Sequence, residues 1–342
     1  MWHHIAYSDL GVDPAGGCWF ITEPPGTPKG SVEKLAEIAF ETFNVAALCI
    51  HPQAPLSLYA SGRTTGVVLD CGETTTHAVP VWEGYTQRDA VQSLELGGED
   101  VTKCLARLLW TDASSAGRSL TSSLDIVRQA KEYMCHIAAD PAVEPSYTKL
   151  KSFELPDGNS LSVSGAAWQA PEILFDFTPK PGQPHGIAQL AINAVEACHP
   201  DMQQRLRGNV HLAGGTTTCP GFRNRLASEL ARLAGAGEYQ VSQDPQRQAA
   251  STGHSVATES WHYLYGGTSS DRLNDAAGNG RLVQHLQSVR GAREDPTRAY
   301  SAWLGGSMIA AMPSARHMWV TRERYDEMGV GVVHVVDREY CD

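Results

Sequence analysis

The 342-residue sequence lacks three features: a run of basic residues, a C-x-x-C pair, and an apolar stretch that approaches the length of a membrane span. Its net charge is −11, with arginine in excess of lysine, which is typical of an acidic, solvated surface and argues against a nucleic-acid partner. Most of the eight cysteines lie within apolar stretches, as free thiols in a reducing compartment do. No signal-like apolar segment follows Met1. We therefore expect a cytoplasmic protein with no membrane span.

Hydrophobic residues make up 42% of the chain, enough for one or two domains with buried cores. Strand and helix patterns alternate along most of it, which predicts an α/β fold of two related lobes. The predicted strands include residues 18–22, 46–50, 67–69, 79–82 and 210–213 and a pair within 152–163. The predicted helices cover 31–42, with Ser31 as N-cap, 98–110, 124–139 and a segment from 220 onward. Residues 246–293 are polar and Gly-rich, which predicts an irregular insertion around an apolar island at 261–265.

The sequence around Asp70 predicts a strand, a tight turn and a second strand. Asp70 closes a buried apolar run, and Gly72, Thr74 and Thr75 follow in the turn. Such a turn brings a carboxylate, hydroxyl groups and backbone N–H groups to one point, as a phosphate or a Mg²⁺-bound water cluster requires. An acidic residue followed by Gly and Thr also occurs in ordinary hairpin turns, so the turn alone leaves both interpretations open.

Longer motifs decide between these interpretations. Segments 56–66 and 79–85 are nearly those that flank the second phosphate loop of actin, and segments 1–4, 40–44, 212–217, 300–307 and 318–334 match actin in actin's order. On these motifs the chain is identified as a member of the actin family, over nearly all of its length except the polar segment before Tyr300. The resemblance implies an α/β actin-like fold, of the RNase H-like class shared with Hsp70 and sugar kinases.

The resemblance also implies the subdomain layout of actin with one part missing. Residues 1–60 with 299–342 would form a remnant of subdomain 1, residues 61–96 with 183–298 subdomain 3, with the insertion at about 246–293, and residues 97–182 subdomain 4. Residues 1–4 resemble a site well inside actin. The first phosphate loop, and subdomain 2 with its DNase-binding loop, therefore have no match here, and the first lobe is expected to be truncated.

In actin, ATP or ADP with Mg²⁺ lies between the two lobes, and the resemblance implies which residues match that site. Asp70 would hold a metal-bound water, while Gln53 and His77 would orient the water that attacks ATP. The implied nucleotide-binding residues are Asp70, Gly72, Glu73, Thr74, Thr75, Gly98, Lys131, Glu132, Gly214, Gly215 and Thr216. By residue type alone, Gln53 and His77 also fit hydrogen-bonded polar residues near strand ends, and Lys131 with Glu132 fits a solvated helix face.

Three departures from the actin pattern predict weak nucleotide binding. Glu73 replaces an Asp, Cys219 stands where actin has a Tyr against the adenine, and Ala299 stands where actin has an adenine-side Lys. Losing only four hydrogen bonds from the unmatched phosphate loop would cost about 6 kcal/mol, or on the order of 10⁴ in affinity. We therefore expect weak ATP or ADP binding with Mg²⁺ and at most a vestigial ATPase site.

A second implied site is the groove in which actin receives helices of its monomer-binding proteins. The residues that resemble its wall are Tyr59, Ala60, Gly62, Thr64, Gly84, Leu304, Met308, Ile309, Met312 and Met318. An apolar lining with Met at helical spacing suits a helix bound in a groove. The same residues are equally consistent with the core of the last helix.

The leading interpretation is an actin-related protein that works by binding actin, actin-binding proteins or a complementing subunit. The alternative is an ATP-dependent, filament-forming cytoskeletal protein whose missing phosphate loop is replaced by the insertion or supplied by another chain. The polar, Pro-rich loop at 177–182 stands where actin has an apolar plug, which weighs against actin-type filaments. A sugar kinase or an Hsp70-like ATPase is excluded because the motifs are those of actin.

Overall fold

The computed structural model describes residues 1–111, 124–141, 143, 151–154, 160–163, 165–176, 184–235, 238–242 and 294–338. The chain divides into two compact units, which we call unit 1 (Met1–Ser61 with Ala302–Asp342) and unit 2 (Gly62–Ser301). The insertion predicted at 246–293, with its apolar island, and the loop at 177–182 lie outside the described residues.

The strands, in chain order, are β1 (Cys18–Glu23), β2 (Ala47–Pro52), β3 (Gly66–Cys71), β4 (Thr76–Trp82), β5 (Tyr85–Thr86), β6 (Gln92–Leu94), β7 (Lys151–Glu154), β8 (Ser160–Val163), β9 (Val210–Ala213) and β10 (Val320–Thr321). The α-helices are α1 (Trp2–His4), α2 (Lys29–Glu37), α3 (Gln53–Ala60), α4 (Gly98–Thr111), α5 (Leu124–Met134), α6 (Ala166–Glu172), α7 (Ile187–Glu196), α8 (Pro200–Arg207), α9 (Phe222–Ala234), α10 (Ser301–Ala311), α11 (Arg322–Met328) and α12 (Val332–Arg338). The 3₁₀ and π segments are Ile5–Asp9, Ile38–Thr42, Arg88–Ala90, Gly215–Thr218, Pro296–Tyr300 and Pro313–Met318.

Unit 1 is built on a three-stranded sheet in the order β1-β2-β10. β1 and β2 run parallel with Cys18 opposite Ala47, and β10 runs antiparallel to β2. The core of this unit lies against the sheet and includes Phe40, whose ring stacks on Tyr325 with centroids 4.3 Å apart. Phe40 is fully buried, so this aromatic pair anchors the chain after α2 to the C-terminal helices.

Helix α10 packs closely on α3 and β1 because two glycines face them. A methyl group at Gly305 would overlap the Leu56 carbonyl oxygen, and one at Gly306 would lie 3.1 Å from the Phe20 ring. Both glycines are buried, and the residues around them are not charged. The missing side chains therefore permit a helix contact that any larger residue would push apart.

Unit 2 contains a five-stranded sheet in which β5, β4, β3 and β9 are neighbours and β6 also pairs with β4. β3 and β4 form an antiparallel hairpin, and β9 lies parallel to β3. Val67, Leu69 and Leu212 are among the buried residues of these strands, and α7 and α9 contribute Leu190 and Leu226 to the same core. The continuous apolar run of β3, from Val67 to Leu69, is thus explained by burial within the sheet.

The strands predicted at 18–22, 46–50, 67–69, 79–82 and 210–213 are confirmed, as is the strand pair within 152–163. The helix predicted at 31–42 is also present, but Ser31 is not its N-cap. α2 begins at Lys29 after Pro28, and the Ser31 amide already donates to the Pro28 carbonyl oxygen at 2.9 Å. At Ile38 the helix continues as a π-helical segment that ends at Thr42.

The helix predicted at 124–139 is shorter than expected. α5 ends at Met134: the Cys135 amide still donates to the Lys131 carbonyl oxygen at 3.0 Å, but the next two amides donate to other segments of unit 2. The His136 amide donates to the Ala167 carbonyl oxygen at 3.2 Å and the Ile137 amide to that of Pro220 at 2.7 Å. These bonds bring α6 and the start of α9 to the end of α5.

None of the helices that the structure describes has the length and apolar character needed to cross a membrane.

Candidate functional site

The predicted phosphate-binding turn connects β3 and β4. The Gly72 amide donates to the Thr75 carbonyl oxygen at 3.0 Å, which closes the turn between the two strands. At its base, the Thr76 hydroxyl donates to the Leu96 carbonyl oxygen at 2.7 Å, so the turn is fixed to the chain that leads into α4. Thr74 is exposed at the tip of the turn.

The segment after β9 meets this turn because β9 is parallel to β3, so that their ends lie side by side. Ala213 is the partner of Asp70 in the ladder, and the Thr216 hydroxyl donates to the Gly72 carbonyl oxygen at 2.8 Å. Gly214 has φ +86°, and a methyl group there would overlap the Cys71 carbonyl oxygen. The predicted helix start at Gly214–Thr216 is a four-residue 3₁₀ helix, Gly215–Thr218.

Asp70 and His77 face each other in the β3–β4 ladder. Burial raises the pKa of the Asp70 carboxyl, and it lowers the pKa of the His77 imidazole. His77 Nδ1 lies 2.8 Å from the Ser93 hydroxyl and Nε2 lies 3.3 Å from that of Thr75. Among the described residues, no group of three or more His, Cys, Asp or Glu side chains could hold a metal ion, so the water-mediated metal role of Asp70 stays a prediction.

The first turn of α4 is joined to the hairpin turn through its backbone. The Gly98 amide donates to the Gly72 carbonyl oxygen at 3.0 Å, and the Glu99 amide donates to that of Glu73 at 2.7 Å. A methyl group at Gly98 would lie 2.8 Å from Glu73 Oε2 and 3.2 Å from Lys131 Nζ. Glycine at this position therefore allows three chain segments to converge.

Two cations of α5 surround the Glu73 carboxylate. Arg128 Nε lies 3.2 Å from Glu73 Oε1, and Lys131 Nζ lies 3.7 Å from Oε2. Lys131 also donates to the Gly98 carbonyl oxygen at 2.8 Å, and its side chain is 13% exposed. Burial lowers the pKa of this ammonium, while the nearby Glu73 carboxylate opposes that shift. α5 is thus not a solvated helix face at this position.

These segments enclose a cavity of about 300 Å³ that belongs entirely to unit 2. Its lining consists of Gly72, Glu73, Gly98, Val101, Lys131, Glu132, Cys135, Pro171, Leu174, Gly215, Thr216, Thr218, Cys219, Pro220, Ala299 and Tyr300. The structure therefore brings together most of the residues implied for nucleotide binding. Cys219 and Ala299, the two positions at which the chain departs from the actin base pocket, also line the cavity. Asp70, Thr74, Thr75 and Gly214 stand outside this lining.

Sequence reasoning missed much of the apolar wall and one cation. Pro171 and Leu174 line the cavity from α6 and the residues just after it, a segment to which no motif pointed. Arg128 could have been found, since it lies one helical turn before Lys131 and residues three apart share a helix face.

The two units are described separately, so the implied roles of Gln53, which lies in unit 1, and His77, which lies in unit 2, stay predictions.

The residues of the predicted partner groove are distributed over both units. Gly62, Thr64 and Gly84 belong to unit 2, where the Gly84 amide donates to the Thr64 carbonyl oxygen at 2.7 Å. The remaining members belong to unit 1; they are Tyr59, Ala60, Leu304, Met308, Ile309, Met312 and Met318. The groove as a whole stays a prediction, and its larger apolar part can be assessed within unit 1.

The family model described as Actin matches residues 1–260 and 270–337. The chain belongs to the actin family. Its α/β architecture, with mixed sheets and packed helices, is an actin-like fold. The match also extends into residues 246–293, which sequence analysis places outside the resemblance. Between the two matched ranges, only residues 261–269 are unmatched.

Proposed function

We propose that this actin-family protein acts mainly by binding protein partners through helix α10, and that the cavity of unit 2 binds nucleotide weakly. The observation that carries the proposal is the character of α10. The helix contains no charged residue from Ser301 to Ala311, yet Trp303 is 48% exposed. A helix that is apolar on all sides is normally buried, so its outward side suits a protein partner.

The outward side of α10 has the spacing that a bound helix requires. Leu304 and Met308 are half-buried and lie four residues apart, and Met312 continues the series just past the end of the helix. Gly305 and Gly306 hold the opposite side against α3 and β1. Methionine side chains adapt to differently shaped apolar partners, which suits actin, actin-binding proteins or a complementing subunit that presents an amphipathic helix.

We expect Met308→Glu to weaken binding of such a partner at least about tenfold, because it places a charge in an apolar contact. The probes are fluorescently labelled monomeric actin and a labelled amphipathic helical peptide, measured by fluorescence anisotropy. Ser31→Glu is the control, since Ser31 is exposed on α2, outside α10 and the predicted groove, and the substitution adds the same charge to unit 1. Equal effects of the two variants, or no binding of either probe to the unaltered chain, would contradict the proposal.

The 342-residue chain by itself is expected to bind ATP at least a hundredfold less tightly than an intact actin. Cys219 and Ala299 line the cavity in place of the larger residues implied by the resemblance, and Lys131 is already engaged by Gly98 and Glu73. Titration with a fluorescent ATP analogue in the presence of Mg²⁺ measures this affinity. A sub-micromolar dissociation constant would refute the expectation and favour the ATP-dependent, filament-forming alternative.

A further inference from the structure

The segment between β9 and α9, residues 214–221, forms one wall of the cavity of unit 2. Its members that line the cavity are Gly215, Thr216, Thr218, Cys219 and Pro220. The segment contains three glycines and no large apolar residue, and its only regular element is a short 3₁₀ helix, in which hydrogen-bond geometry is poorer than in an α-helix. The conformation of this wall therefore depends on hydrogen bonds from other parts of the chain.

Two charged residues, Glu294 and Arg298, supply such bonds. Arg298 Nη1 donates to the Thr217 carbonyl oxygen at 2.8 Å, and the Glu294 amide donates to that of Thr218 at 3.0 Å. The Gly221 amide in turn donates to Glu294 Oε1 at 3.0 Å. Neither of the two charged residues lines the cavity, so both contact the wall from outside it.

Glu294 and Arg298 also hold each other in place. Arg298 Nη1 lies 3.1 Å from Glu294 Oε2, and Arg298 is buried, so this charged hydrogen bond is stronger than one between neutral groups. The Gly214 amide donates to the Arg298 carbonyl oxygen at 3.0 Å. The next two residues, Ala299 and Tyr300, line the cavity. The pair therefore fixes two lining segments of the cavity to each other.

We propose that Glu294 and Arg298 are positioning residues of this cavity, which determine its affinity for ligand without contacting the ligand. The inference rests on the proposed nucleotide binding by unit 2 and names the residues that keep the site in its binding conformation. A ligand that meets a preformed wall does not have to order it. A wall that has lost the pair must be ordered when the ligand binds, and the cost of that ordering lowers the affinity.

The test compares Arg298→Met with Arg223→Met in the full chain. Arg223 lies on α9 and also donates to two backbone carbonyl oxygens, those of Ser242 at 2.9 Å and Val241 at 3.0 Å, but none of these three residues lines the cavity. Isothermal titration with adenosine and with ATP, each with Mg²⁺, gives the affinities, and urea denaturation gives the stabilities. We expect Arg298→Met to bind both probes at least about tenfold more weakly than the unaltered chain, and Arg223→Met to bind them within about twofold of it.

A conservative variant and amide hydrogen exchange distinguish positioning from a general structural role. The bonds from Arg298 to Thr217 and Glu294 come from one nitrogen, so a lysine ammonium, with three donors, can replace both. We expect Arg298→Lys to bind both probes within about threefold of the unaltered chain. In Arg298→Met, exchange is expected to become faster in residues 214–221 and to stay unchanged in β4.

Equal loss of affinity in Arg298→Met and Arg223→Met, or no loss in either, would overturn this inference alone. It would also be overturned if Arg298→Lys bound as weakly as Arg298→Met, or if exchange became faster in β4 as much as in the wall. Circular dichroism shows whether each variant is folded. Should Arg298→Met fail to fold, Glu294→Gln takes its place with the same expected direction. Absence of binding of both probes to the unaltered chain would overturn the inference together with the proposal for the cavity.

Discussion

Replacing Arg225 with methionine is expected to lower the free energy of unfolding by about 3–5 kcal/mol at neutral pH. Arg225 is 6% exposed, and its guanidinium lies 2.6 Å from Glu172 Oε1 and 2.9 Å from Glu229 Oε1. It also donates to the Ala138 carbonyl oxygen at 3.2 Å. Methionine fills similar space but leaves the Glu172 carboxylate without the cation that pairs with it. Urea denaturation followed by circular dichroism measures the loss.

The size of this loss is expected to depend on pH. Burial raises the pKa of the Glu172 carboxyl, and Arg225 opposes that shift. The pKa of Glu172 is therefore expected to be higher still in the methionine variant. A carboxyl whose folded-state pKa lies above its unfolded value stabilises the fold at low pH, and that stability is lost as pH rises through the folded pKa. The deficit of Arg225→Met is therefore expected to shrink when the pH is lowered from neutral toward about pH 5.

Arg232→Met is the control for this cluster. Arg232 lies on the same helix and pairs with the same Glu229 at 2.7 Å, but its side chain is 68% exposed. An exposed ion pair contributes less than about 1 kcal/mol, so the free energy of unfolding of this variant is expected to be close to that of the unaltered chain. The prediction is wrong if the two variants lose the same stability, or if the deficit of Arg225→Met grows as the pH falls.

Most elements of the fold could be predicted from sequence because their apolar patterns match their burial. The run from Val67 to Leu69 is an example, since each of its residues is fully buried in β3. The ends of α2 and α5 could not be predicted. The end of α5 depends on bonds from His136 and Ile137 to Ala167 and Pro220, which are distant in sequence. Local propensity carries no information about such partners.

The candidate site could be predicted where a motif carries it and not where packing does. Gly72, Lys131 and Thr216 were implied by resemblance, and all three line the cavity. The ion pairs of Glu73 could not be predicted from the motif, because the replacement of an Asp by Glu indicates only a longer side chain. These pairs with Arg128 and Lys131 depend on how α5 packs beside the hairpin turn. The apolar wall from α6 is likewise a consequence of tertiary packing.

The Gly214→Ala variant is expected to lose about 3 kcal/mol of stability and to lose ligand binding in the cavity of unit 2. Gly214 has φ +86° and ψ +149°, a backbone region that is essentially restricted to glycine. An added methyl group would lie 2.5 Å from Asp70 Oδ1 and would overlap the Cys71 carbonyl oxygen. Both of these oxygen atoms belong to residues of β3. The overlap can therefore be removed only if the end of β9 moves away from the hairpin turn.

Gly215→Ala provides the matched control at the next residue. Its new methyl group would meet nothing closer than the Ala299 side chain at 4.0 Å, and its backbone does not need positive φ. We expect the free energy of unfolding of this variant to lie within about 1 kcal/mol of that of the unaltered chain, because alanine also restricts the conformations of the unfolded state. Urea denaturation and adenosine titration of both variants give the answer. If Gly214→Ala is as stable as Gly215→Ala and retains adenosine binding, the close approach of β9 to the hairpin turn between β3 and β4 is not required for either property.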